Sequence, residues 1–136
     1  MNIHYYISQK YNRQFFDSLL AEADTLLLKN SKTTAIPYYM CDEKPRITQL
    51  VAKTYLPIQQ YLFMDVGFDI DTTGEISNFT INDFITAPYN EQFKEDLFEL
   101  AILRIKDKPF WATGKILGKR VRTKHNVRVS FGEIGK

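Results

Sequence analysis

Cysteine is nearly absent from this 136-residue chain, and so are histidine, tryptophan and long apolar runs. The single cysteine, Cys41, rules out a disulfide within the chain and leaves the redox compartment open. No apolar run approaches the ~18 residues that a spanning helix needs. The opening Met1-Asn2-Ile3-His4-Tyr5-Tyr6-Ile7 lacks the basic start of a signal peptide. The two histidines, His4 and His125, have no Cys or carboxylate at metal-ligand spacing, and no glycine-rich phosphate loop appears. Nothing here points to a cofactor or metal, and the pattern is that of a non-catalytic protein. A formal net charge of +2 is too small to argue for nucleic acid or a membrane surface.

Aromatics are plentiful, with ten Phe, eight Tyr and one Trp, so a core can form without staples. Phe15, Phe16, Leu19, Leu20, Ala23, Leu26 and Leu27 recur at helical spacing and predict an amphipathic helix from about Asn12 to Lys29. That face either covers the sheet or meets a partner, and covering is the expectation, because exposed leucines invite aggregation. A short helix is expected from Arg46 to Tyr55. Leu62, Met64, Val66, Phe68 and Ile70 then alternate with Phe63, Asp65, Gly67 and Asp69, which predicts a strand with one buried face. Asp71-Thr72-Thr73-Gly74 has turn chemistry, and Ile76 to Ile81 returns as a second strand. The apolar frame shifts between Ile76 and Phe79, which predicts a bulge or a two-sided strand there. A helix follows from Asn90 to Lys106, stopped by Asp107 and Pro109.

The last element has Val121, Thr123, His125, Val127, Val129 and Phe131 on one face and Arg120, Arg122, Lys124, Asn126, Arg128 and Ser130 on the other. One face is therefore expected to pack on the helix and the basic one to meet water or a partner. The fold class is α+β: an antiparallel sheet of about three strands (hairpin, helix, closing strand) packed on helix, with an added N-terminal helix. One domain spans 1–136, with residues 1–54 as a helical extension and 55–136 as the core.

Three stretches resemble the TonB C-terminal domain of the Bacteroidetes type, over roughly residues 55–134. Val66 to Asn78 resembles its first strand, acidic-Gly turn and second strand. Pro109-Phe110-Trp111-Ala112-Thr113-Gly114-Lys115 resembles its Pro-x-Trp-x-Pro-Gly segment, with Thr113 where the family has proline. Val127 to Phe131 resembles its closing strand. The resemblance implies a protein-interaction module that pairs an extended receptor-type segment with an open sheet edge, in energy-coupled outer-membrane transport and in the periplasm. The docking residues it implies are Arg120, Arg122, Lys124, Asn126, Arg128 and Ser130, with Trp111 as an anchor or a core residue. A homodimer through strand pairing is a further implication.

Two other readings stand beside it. The chain could be an adaptor or inhibitor that reuses the fold with a different partner. It could also bind nucleic acid through the basic stripe, which the lack of outward aromatics there and the balanced overall charge disfavour.

Overall fold

In the computed structural model, which describes residues 13–43 and 48–133, a helix α1 (Arg13–Asn30) leads into a very short strand β1 (Ile36–Pro37) and a 3-10 turn (Tyr38–Met40). Then come β2 (Gln49–Thr54), β3 (Leu62–Ile70) and β4 (Ile76–Thr86). A second 3-10 turn (Pro88–Phe93) delivers the chain to α2 (Lys94–Lys106). Two three-residue strands, β5 (Gly114–Ile116) and β6 (Lys119–Val121), precede the long β7 (Thr123–Glu133).

The β3–β4 hairpin forms where alternation and turn chemistry predict it. Asp71 Oδ1 accepts bonds from Thr73 N at 2.8 Å, Thr73 Oγ1 at 2.6 Å and Glu75 N at 3.0 Å, while Gly74 takes φ +89°. The Thr73 hydroxyl bond in particular holds the Asp71 carboxyl below its usual range. The frame shift is a real irregularity: the β3–β4 register slips between Gly67 and Asp69, and Asn78 takes φ +56°. A second slip lies between Asp65 and Val66, where Asn82 is the extra residue.

Two expectations are corrected here. The stretch expected to be helical is instead strand β2; of it, Arg46 and Ile47 lie outside the described residues. The sequence there alternates, with Ala52 and Thr54 buried while Gln49, Val51 and Lys53 are exposed, and the period of two wins. The sheet has five strands rather than about three. β1 and β2 both run parallel to β7, at Thr123–Lys124 and Arg128–Glu133 respectively, and β3 pairs with β7 on its other side. The closing strand is thus the centre of the sheet and not its rim.

One face of this sheet lies on α2. Leu97, Ala101 and Ile105, spaced at i, i+4 and i+8, are fully buried against Met64, Val66, Phe68, Val127 and Val129. Asn90 is also fully buried: its Oδ1 accepts Gln59 N at 2.8 Å, and its Nδ2 donates to Thr86 Oγ1 at 2.7 Å and to the Gln59 carbonyl. It thereby fixes the linker before β3 to the end of β4.

β5 and β6 form a separate hairpin turned by Leu117 (φ 52°) and Gly118 (φ 76°), the two positive-φ residues that a tight two-residue loop requires. Ile116 and Val121 from this hairpin, with Ile36 and Cys41, make a second small apolar cluster. Helix α1 meets this cluster through Leu27 and Leu28 and does not cover the sheet as expected; Leu19, Leu20 and Leu26 remain 42%, 52% and 56% exposed.

Candidate binding face and sheet edges

Side chains alternate across a strand, so the residues of β3 and β7 that do not meet α2 share the opposite face. Register sets them in rungs: Phe63 beside Ser130, Asp65 beside Arg128, Gly67 beside Asn126, and Asp69 beside Lys124. β4 adds Thr80 next to Gly67 and Ser77 next to Asp69.

The charges on this face are largely matched. Arg128 donates from Nε to Asp65 Oδ1 at 2.9 Å and from its terminal nitrogen to Asp65 Oδ2 at 3.2 Å, a bidentate fork. That bond holds the Arg128 guanidinium above its usual pKa, and its plane lies 4.2 Å from the centre of the Phe63 ring. Arg122 donates to Asp69 Oδ2 at 2.9 Å, and Asn78 Nδ2 donates to the same oxygen at 2.9 Å.

Between the two charged rungs runs a neutral one. Thr80 Oγ1 donates to Asn82 Oδ1 at 3.0 Å, and Asn82 Nδ2 donates to Asn126 Oδ1 at 2.9 Å. This chain of polar groups crosses directly over Gly67. A Cβ there would lie 2.5 Å from Asn82 Nδ2 and 3.0 Å from Thr80 Oγ1. The result is an open trough of about 840 Å³, with Tyr38 and Tyr39 at its β1 end.

The sequence-derived docking residues are dispersed. Arg120 belongs to β6, opposite Lys115 in the small hairpin, and is not on this face. Arg122 lies between β6 and β7, while Lys124, Asn126, Arg128 and Ser130 do share the outer face of β7. They cannot form a docking edge, because β3 and the two parallel strands occupy both sides of β7; among the described residues only His125–Val127 falls between β1 and β2. Trp111 is 6% exposed, donates Nε1–H to the Ile105 carbonyl at 3.1 Å, and meets Phe68 edge-on at 4.9 Å. It closes the core and is no exposed anchor.

His125 points inward as alternation requires, with its ring 5.5 Å from Tyr38, 5.8 Å from Phe68 and 5.6 Å from Trp111. Burial first, and then the charge of Lys108, lowers its pKa.

The free edges lie elsewhere. β2 has β7 on one side, and on the other its Val51 carbonyl accepts a bond from Arg104 Nε at 3.0 Å. β4 pairs only with β3, so the outer side of this 11-residue strand is unpaired among the described residues. The stretch Asp83–Thr86 keeps a regular register, and Ile85, Tyr61 and Tyr89 stand exposed around it. This edge is not among the docking residues expected from the sequence, although the alternation of Phe84 with Asp83 and Ile85 beyond Ile81 was an available signal of a longer second strand.

Among the described residues no helix is long and apolar enough to cross a membrane, and no group of three or more His, Cys, Asp or Glu could hold a metal ion. No family model, no curated protein and no solved structure matches this chain.

Proposed function

We propose that this chain is a non-catalytic protein-interaction module that binds an extended polypeptide segment by strand addition, and that the segment docks along β4. The carrying observation is the unpaired outer side of β4. Its N–H and C=O groups are a ready template for another strand, and main-chain bonds there supply affinity while alternate side chains supply selectivity. The regular stretch Asp83–Thr86 is the natural docking point, because the slips further along the strand interrupt pairing. Exposed Ile85, Tyr61 and Tyr89 provide apolar and aromatic contact area beside it. The resemblance to the TonB C-terminal domain supports the same mode of binding, with a receptor-type segment in outer-membrane transport as one partner. An adaptor or inhibitor with another partner would use the same edge.

Nucleic-acid binding is less well supported than the basic stripe suggested. Arg122 and Arg128 are each bonded to an aspartate, and Arg120 lies off the sheet, so phosphates would have to compete with existing pairs.

The test begins with selection of displayed extended segments of about ten residues on the immobilised protein. Selected peptides are then titrated while backbone amides are followed. Shifts and exchange protection are expected along Ile76–Thr86, strongest at Asp83–Thr86, and Ile85→Lys should weaken binding. Peptides that perturb other strands, or that ignore Ile85→Lys, would overturn the reading.

A further inference from the structure

We infer that the trough over Gly67 is a second binding site, separate from the β4 edge, and that it takes a neutral, hydroxyl-rich ligand of the size of a short oligosaccharide. Its volume of about 840 Å³ falls within the range of small-molecule sites.

Three observations select this chemistry. The first is charge. Asp65 is held by both arms of Arg128, and Asp69 by Arg122 and Asn78. Lys124 stands opposite Asp69 in register. Among the described residues Lys124 is thus the one charge of this face that no bond engages; a ligand needs no charge of its own to be accommodated, and a multiply charged one would compete with bonds already made.

The second is the capacity left over. Among the described residues, Asn126 Nδ2 and the Lys124 ammonium are donors that no bond in the structure uses. Asn78 Oδ1 and Asp69 Oδ1 are acceptors in the same condition. A hydroxyl both donates and accepts, so neighbouring hydroxyls on one ring can answer such a mixed array. A carboxylate or phosphate, which only accepts, can answer half of it.

The third is shape. Gly67 raises no side chain into the trough, and the Thr80–Asn82–Asn126 chain fills the space that a Cβ would take, so the floor a ligand meets is this low row of polar groups. Tyr39, 68% exposed at the β1 end, offers an aromatic plane on which the apolar side of a sugar ring can rest. The trough lies on the face of the sheet and not at an edge, so a polypeptide lying in it would gain no ladder bonds from the strands.

The experiment titrates the whole chain with cellotetraose, chitotetraose and mannotriose, and with an extended peptide of similar length, reading heat and backbone amide shifts. At least one saccharide is expected to bind saturably, with shifts centred on Gly67, Thr80, Asn82 and Asn126. Asn126→Ala and Gly67→Val should each weaken it about tenfold, the effect of losing one well-placed hydrogen bond or more. Ile85→Lys should leave it unchanged, which separates this site from the β4 edge. Circular dichroism establishes that each variant is folded; if Gly67→Val is not, Asn126→Ala decides alone. The inference fails if none of the three saccharides binds, if binding survives Asn126→Ala, or if the peptide rather than a saccharide perturbs the trough.

Discussion

The two apolar clusters of this molecule differ in what they leave uncovered. The larger one, between α2 and the sheet, buries Met64, Val66, Leu97, Ala101, Ile105 and Val129 completely and is closed at one end by Trp111. Among the described residues the smaller one buries only Ile36, Cys41, Ile116 and Val121, and helix α1 packs against it through Leu27 and Leu28 near its end. Alternation on β3 and β7 and the four-residue spacing on α2 match each other in period and reach, so Leu97, Ala101 and Ile105 find facing neighbours on the sheet. Helix α1 has the same kind of apolar face, yet a three-residue hairpin strand is too short to cover it. An amphipathic pattern therefore specifies a helix without specifying what it packs on.

That contrast can be broken by substitution. Leu97→Ala empties a fully buried site between α2 and the sheet and should cost about 2–5 kcal/mol, read as a loss of both helix and sheet signals in one urea transition. Ile116→Ala removes a buried side chain of the small cluster. It should cost nearer the low end, about 2 kcal/mol. Its mark is selective: amides of α1 and of the β5–β6 hairpin should exchange faster while those of β3 and β7 keep their protection. A single transition in which Ile116→Ala loosens β3 as much as α1 would show that the two clusters melt as one.

The smallest effect concerns His125, which sits among the aromatic rings at the margin of the larger cluster. Its pKa in the fold lies below the ordinary value of 6.5 because burial and Lys108 disfavour the charged form. The unfolded chain therefore takes up this proton first. The contribution is fully present above the ordinary pKa and is lost progressively as the pH falls below it toward the lowered value. The melting temperature should drop between about pH 7 and pH 5, and His125→Gln should flatten that drop. An unchanged slope in the variant would place the sensitivity on another group.

Much of the larger cluster was legible in the sequence, because it depends on local periods: β3 by alternation, its turn by Asp71 and Gly74, α2 by spacing, and even the slip near Asn78. What failed was non-local. The alternation of β7 reports that one face is buried and is silent on how many strands flank it, so the expected docking rim turned out to be the middle of the sheet. β2 is not legible as a strand because its six residues are few, and the parallel partner that favours an extended chain is far away in sequence. The trough was equally hidden. Gly67, Asn82 and Asn126 are ordinary outward residues on three different strands, and register together with a bulge brings them into one chain of bonds.

The place of β7 at the heart of the sheet has a consequence for how the molecule is made. This strand follows in the chain every strand it joins, so during synthesis β1 and β2 emerge with no ladder to enter. The β3–β4 hairpin can close early, since its two halves are neighbours in sequence. The remaining pairings wait until the ribosome has released Glu133, and late, long-range closure of this kind slows folding. Until then α2 has only half of its apolar seat, and the nascent chain shows both edges of that hairpin to whatever chaperone stands near the exit.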